Sequence, residues 1–334
     1  IDISNLRPKQ ALVNNAAKTT SGAVSFMTSF DTVTKVIGQN GRRGALMISI
    51  DINHPDVPEF IDIKTDLEKV TSANISVRVS DEFMRAVEND EDYILRFPCD
   101  FKINLEKDII ENLNYNELTI LKNCSENTND FKYVKKVRAK ELFDRLCENN
   151  WNYAEPGILY WDRIANYNLL SEDKEFEYAG VNPCAEEPLP AGGSCLLGSL
   201  NLSEFVKDGK FDFNDFKKAV EVAVIALNDV LDEGLPLHPL QIQRDSVSKY
   251  RQIGLGIFGY ADMLIKLKMR YGTLLANDFT EEVGRTLITS AIEASAKLAK
   301  ERGAYDAYTP EIMNSEFFKR HIDEKSEVYN LVKT

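Results

Sequence analysis

Positive charge is in short supply in this sequence. Its 334 residues carry 40 Lys and Arg against 53 Asp and Glu, a formal charge of −13. A duplex-binding surface leaves a basic footprint, so nucleic acid is not expected as a partner. Histidine is scarcer still, with only His54, His238 and His321, far apart in the chain. There is no Cys-x-x-Cys either, so a structural zinc site has no support. The five cysteines, Cys99, Cys124, Cys147, Cys184 and Cys195, are odd in number and scattered. That is no disulfide framework, and it fits a reducing, cytoplasmic setting. No apolar run is long enough to span a bilayer, and Ile1 to Pro8 lack the basic-then-apolar order of a secretory signal, so no membrane association is expected. An initiator Met is also missing. The first residues read like the tail of a strand already under way, so the chain is expected to be a trimmed or interior piece.

What remains is the composition of a globular protein, 43% hydrophobic and 28% charged. Helix and strand periods alternate along it. Ser21 is placed to cap a helix whose apolar positions Val24, Met27, Val33, Val36 and Ile37 run to Gly38. Ala45 to Ile52 reads as a buried strand, Val57 to Ile63 as a short helix behind Pro55, and Asn74 to Val79 as a second strand followed by a helix capped by Ser80 or Asp81. Residues 88–136 mix acids, Asn and scattered apolars, and read as an insertion with a solvated loop. A helix from Ala139 to Asn149, a strand at Ile158 to Trp161, and helices over Phe213 to Leu231, Ile257 to Leu267 and Glu281 to Lys300 follow, the last stopped by Gly303. The pattern predicts an α/β fold with parallel strands, as a single domain over 1–334 with no repeat. Gly254-x-Gly256-x-x-Gly259 matches a dinucleotide-binding pattern but lacks a buried strand before it, and is read as close helix packing.

The chemistry concentrates between Asn182 and Leu202. If the backbone beside Pro183 is extended, side chains two apart share a face, which groups Asn182, Cys184 and Glu186 as amide, thiol and carboxylate. A carboxylate there can act as general base to a substrate hydroxyl that the amide orients, and Cys195 brings a second sulfur to the same region. Spacing alone leaves the bland alternative open: a lone cysteine is usually a small hydrophobe, and a Pro-rich loop usually a surface turn. Likewise Arg42-Arg43 can be a solvated basic turn, although Gly41 and Gly44 permit close approach of a phosphorylated ligand.

Resemblance shifts that balance. Asn182-Pro183-Cys184-Ala185-Glu186, then Cys195, then Leu197-Gly198-Ser199-Leu200-Asn201-Leu202, resembles the radical finger loop of ribonucleotide reductase large chains. Leu6-Arg7-Pro8, Ser21 to Met27, Arg42 to Ala45, His54-Pro55-Asp56, Asn74 to Val77, Asp81 to Met84, Pro156-Gly157 and Gly254 to Asp262 resemble the same family in the same order. The likeness is weakest over Glu88 to Lys136 and the last twenty or so residues.

The resemblance implies part of a ten-stranded α/β barrel, incomplete at both ends. It implies that Cys184 carries a thiyl that takes the 3′ hydrogen of a ribonucleotide, that Glu186 is the base to the 3′ hydroxyl, and that Asn182 holds the substrate hydroxyls. Cys195 resembles the second member of a reducing pair that ends as a disulfide, recharged by a thioredoxin-type reductant. Arg7 to Lys18 and Gln39 to Ala45 resemble loops between substrate and effector sites. Arg7, Ser21, Gly22, Gly41, Arg42, Arg43 and Gly44 would there meet a ribonucleotide or a deoxynucleotide or ATP effector. The Pro-Leu-Pro-Ala-Gly-Gly stretch before Cys195 looks most like the adenosylcobalamin-dependent class. The rivals are a class whose radical comes from a separate metal subunit, and an inert nucleotide-binding module. Diphosphate and triphosphate substrates and a homodimer stay open, and the piece alone is expected to be inactive.

Overall fold

Alternation decides the first sheet. Strands β1 (Leu46–Asp51), β2 (Ala73–Val79) and β6 (Gly157–Tyr160) run parallel in the order β1-β2-β6, with Ile48 opposite Ile75 and Ile50 opposite Val77. Side chains alternate across a strand, so this register collects the branched apolar residues on one face. Helices α1 (Ala23–Val36), α2 (Val57–Asp62), α3 (Asp81–Glu88) and α4 (Ala139–Tyr153) contribute Met27, Phe60, Phe83 and Leu146 to the core formed on that side. The computed structural model from which these elements are taken describes residues 1–37, 41–42, 44–102, 110–122 and 131–334. Arg43, Gln39 and Cys124 lie outside the described residues.

Ile1 to Ile3 extend the sheet beyond β1, with Asp2 bridged to Ser49 in parallel and the Ile3 N–H donating to the Ser49 carbonyl at 2.9 Å. Ser80 caps α3, as its sequence position predicts, by accepting from the Phe83 N–H. Within 88–136, β3 (Asp92–Phe97), β4 (Thr119–Lys122) and β5 (Phe131–Arg138) make an antiparallel sheet in the order β3-β5-β4.

The chain divides into two compact units, Ile1–Ile164 with Gly180–Pro188, and Ala165–Ala179 with Leu189–Thr334. The second unit packs α6 (Phe213–Gly234) against α9 (Leu274–Arg302), each longer than its periodicity predicts. On α6, Phe216, Val220, Val224, Leu227 and Leu231 fall at three- and four-residue steps and are all buried.

The glycine-rich match resolves differently from expectation. Gly254–Phe258 is a strand, β12, pairing in parallel with β9 (Leu197–Asn201), and the helix predicted from Ile257 starts only at Tyr260. Two of the three glycines therefore lie inside a strand rather than in a phosphate-cradling turn after it. Gly259 has φ +70°, and a side chain there would run into Asn201 Oδ1, so close approach explains it. Among the described residues no sheet closes into a barrel.

The start of α1 also differs. Its N-cap is Gly22 at φ +95°, with no side-chain cap, while the Ser21 hydroxyl pairs with Ser25 Oγ at 2.6 Å. The capping acceptor comes from elsewhere in the chain. Asp56, 4% exposed, takes the Ala23 N–H at 2.8 Å and the Lys9 N–H at 3.0 Å. Beside it, His54 is fully buried, donating from Nε2 to the Leu6 carbonyl and accepting the Asp56 N–H at Nδ1. Those two bonds fit a neutral ring, and burial lowers the His54 pKa in the same direction. The His54-Pro55-Asp56 turn thus ties Leu6 to Lys9 and α1 to the end of the sheet. Asp56→Ala should destabilise the first unit by about 2–3 kcal/mol, because one buried and one partly buried N–H donor lose a charged acceptor. Both tryptophans, Trp151 and Trp161, belong to that unit, so urea unfolding followed by their fluorescence reads it, and an unchanged midpoint refutes the role.

Candidate functional site

Opposite its apolar face, the first sheet is polar. Parallel register sets Met47 beside Asn74, Ser49 beside Ser76 and Asp51 beside Arg78. Asp2 Oδ2 accepts from Ser49 Oγ at 2.7 Å and from Arg78 Nη1 at 3.2 Å, and the Arg78 guanidinium lies 3.8 Å above the Trp161 ring. Asp51 accepts the Asn53 N–H at 2.8 Å, and burial pushes its pKa up to about 6 despite that bond and Arg78. The neighbouring Cys99 thiol is also pushed up by burial. The expectation of a buried strand at Ala45 to Ile52 does not include this strip. The signal was there, since polar Ser49 and Asp51 alternate with isoleucines.

The Cys184 loop is a turn rather than an extended strand. The Asn182 carbonyl accepts the Ala185 N–H at 2.9 Å, which puts Pro183 and Cys184 at the two central positions. Ala185 follows at φ +67°, in the left-handed region. Asn182 Oδ1 then takes the Glu187 N–H at 2.9 Å, while the Asn182 N–H donates to the Glu187 carbonyl at 3.3 Å. The shared face expected for Asn182, Cys184 and Glu186 therefore does not form by alternation, because the chain reverses between them. Pro183 favours an extended Asn182 before it but itself opens the turn. Cys184 and Glu186 are exposed on the loop, and Asn182 is half-buried with its Oδ1 committed to the Glu187 N–H. Glu187 is raised in pKa by burial first and by Glu186 second. Among the described residues the loop is hydrogen-bonded to the polar strip at one point, where Asn74 Nδ2 donates to the Pro183 carbonyl at 3.0 Å.

The remaining residues singled out by sequence lie on other loops. Arg7 is exposed and donates from Nη1 to the Leu12 carbonyl at 3.2 Å. Arg42 and Gly41 are exposed, and Gly44 packs so tightly on Thr34 that a Cβ would sit 2.8 Å from its Cγ2. Cys195 belongs to the second unit, after a turn closed by the Gly193 N–H to the Pro190 carbonyl at 2.9 Å and just before β9. It is exposed, and neither it nor Cys184 is in a disulfide.

With this geometry in hand, comparison is decisive: residues 1–329 match the family described as ribonucleotide reductase, barrel domain. The chain belongs to that family. It is 37% identical over 308 residues to the vitamin B12-dependent ribonucleoside-diphosphate reductase of Thermoplasma acidophilum, an alignment covering 91% of this chain and 36% of the relative. The corresponding Mycobacterium tuberculosis (strain CDC 1551 / Oshkosh) protein is 32% identical, covering 92% of the chain and 40% of the relative. The ribonucleoside-diphosphate reductase large subunit of Monkeypox virus is 28% identical over 326 residues, again 92% and 40%. The chain thus spans about two fifths of these reductases. No helix among the described residues is long and apolar enough to cross a membrane.

Asp51 gives this reductase segment a pH signature. Its folded pKa of about 6 lies above the ordinary 3.8, so the folded state holds the extra proton between those values. The contribution of Asp51 to stability is accordingly greatest at acid pH and falls as pH rises through that window. Asp51→Asn keeps an acceptor for the Asn53 N–H without the charge. It should gain up to about 3 kcal/mol over the wild type near pH 8 and essentially nothing near pH 4. Urea titrations across that range measure the difference, and a pH-independent gap would count against a buried Asp51 carboxylate.

Proposed function

We propose that the chain carries the radical-bearing segment of a ribonucleotide reductase catalytic subunit, reducing ribonucleoside diphosphates, with Cys184 as the thiyl residue. The observation that carries this reading is an exposed thiol at the tip of a hydrogen-bonded turn, beside a polar sheet face, in a chain matched along nearly its whole length to the reductase barrel. The ten-stranded barrel, with 88–136 as an insertion in a single catalytic domain, belongs to the same proposal.

The Cys184 thiyl takes the 3′ hydrogen of the ribose and later returns it. Glu186, exposed two residues on, accepts the 3′ hydroxyl proton as the 2′ hydroxyl, protonated by one of the reducing thiols, departs as water. Asn182, whose Oδ1 is committed to the Glu187 N–H, meets a substrate hydroxyl as a donor through Nδ2. Cys195 is one of two thiols that give up two electrons and close a disulfide, reopened by a thioredoxin-type dithiol. Arg7, Ser21, Gly22, Gly41, Arg42, Arg43 and Gly44 serve the ribonucleotide and a deoxynucleotide or ATP effector, and the exposure of Arg7 and Arg42 suits that use.

Adenosylcobalamin fits the one test the described residues offer: the Cys184 side chain is open to solvent, so its hydrogen is within reach of a group presented from outside the loop. When bound, that cofactor supplies the radical. The higher identity to the vitamin B12-dependent reductases of Thermoplasma acidophilum and Mycobacterium tuberculosis, 37% and 32%, than to the Monkeypox virus large subunit, 28%, favours it over a separate metal subunit.

In the complete polypeptide, Cys184→Ser should abolish deoxynucleotide formation while circular dichroism stays unchanged, since serine gives up its hydrogen far less readily than a thiol. Turnover above background in that variant removes the assignment. Glu186→Gln should retain substrate binding and lose at least about 100-fold in kcat. Cys195→Ser should permit at most one reducing event, fed by the remaining thiols, and repeated turnover with a dithiol reductant would contradict its redox role.

A further inference from the structure

We propose that Asn74 is a positioning residue for Cys184: its side-chain amide fixes the carbonyl of the residue immediately before the thiol and so sets where the thiol stands. The inference rests on the reading of Cys184 given above and adds a residue to it. A turn uses the carbonyl of its first residue for its own closing bond, here Asn182 to the Ala185 N–H. The Pro183 carbonyl is not used within the loop, and the partner it finds is Asn74 Nδ2 at 3.0 Å, 109 positions away in sequence. No other hydrogen bond among the described residues of the first unit joins Asn182 to Glu187 to the main sheet.

Asn74 is well built to act as an anchor, because the backbone on both sides of it is pinned. The Ala73 carbonyl accepts from Lys64 Nζ at 2.7 Å, and the Ile75 N–H donates to Glu155 Oε1 at 3.0 Å. Lys64 and Glu155 are themselves paired at 2.9 Å, both largely shielded from solvent. One residue earlier, the Ser72 N–H donates to the buried carboxylate of Asp31 at 2.6 Å. β6 pairs with β2 only from Ser76 onward, so at Ile75 the Glu155 side chain stands in for the missing strand neighbour. The Asn74 backbone is thus fixed by β1 on one side and by this ion pair on the other, and its side chain projects from the same face as Ser76 and Arg78. The amide has two χ angles between a rigid strand and the bond it makes. Loop position is therefore inherited from the sheet.

Three substitutions separate positioning from mere stability. Asn74→Ala removes the donor, Asn74→Asp keeps the shape but turns an acceptor toward the Pro183 carbonyl, and Asn74→Gln keeps an NH2 one methylene further out. In the complete reductase, Ala and Asp should lower kcat by about 10- to 100-fold, the cost of a misplaced reacting group. KM should change by no more than about twofold. Gln should recover part of the loss. Amide hydrogen exchange should rise in the 182–187 peptide of the Ala and Asp variants while the peptides of β1 and β2 keep wild-type protection. Wild-type kcat and loop exchange in Asn74→Ala, in a preparation where Cys184→Ser is inactive, would overturn the inference alone. Faster exchange spread through β1 and β2, with a lowered melting temperature, would overturn it in favour of a structural role. An active Cys184→Ser alongside a loosened loop would instead overturn the Cys184 reading on which it rests.

Discussion

The register between β1 and β2 is the constraint on which the first unit turns. With a side-chain period of two, sliding one strand by a single residue would send Ile48 and Ile50 to the polar side and Ser49 and Asp51 into the helix-packed core. Neither face tolerates the exchange. Burying Asp51 and Arg78 among Phe60, Phe83 and Leu146 would strand charges in an apolar medium. The hydrophobic effect that folds the unit therefore also lays out a row of polar groups in a fixed order, and the Cys184 loop is hung from one member of that row.

How much of this was legible depended on the range of the interaction concerned. Local signals read well: Ser80 caps α3, Gly303 follows α9, and the strand at Asn74 to Val79 starts only one residue earlier. Long-range partners did not. The helix beginning at Ala23 was assigned to Ser21 because a hydroxyl before an apolar run is the usual local cap, yet the acceptor is Asp56, which no window around Ser21 contains. β9 and β12 were passed over for a related reason. Leu197 to Asn201 and Gly254 to Phe258 are short and glycine-bearing, and each becomes a strand only by pairing with the other. Gly259 looked like a phosphate-binding signature and is a steric accommodation of Asn201.

At the site, residue identity was readable and conformation was not. Asn182, Cys184 and Glu186 stood out by chemical type and by family likeness, whereas their arrangement came from assuming an extended backbone. A proline restrains the residue before it toward extension, but it equally opens turns, and the Asn182 side chain tips the choice by satisfying the Glu187 N–H. The amide named for its chemistry toward substrate proves also to be the clasp of its own loop. Asn74 lies in a stretch of family likeness, yet as one polar residue in a strand it carries no local sign of this contact, and only the fold brings it to Pro183.

The Asp56 carboxylate has a bearing on the order in which this chain assembles. Its two backbone donors, at Ala23 and Lys9, lie 33 and 47 residues upstream. Helix α1 cannot finish its first turn from its own neighbourhood, since Gly22 offers no side chain and favours no particular entry angle. The missing acceptor arrives only once β1 has formed and the chain has turned at Pro55. Closing so long a loop is entropically costly and comes late relative to local helix growth. An emerging chain would therefore expose α1 with a frayed start and its apolar residues Val24 and Met27 uncovered until Asp56 has been synthesised. The interval during which this segment is vulnerable to misassociation is set by the distance in sequence between a helix and its cap.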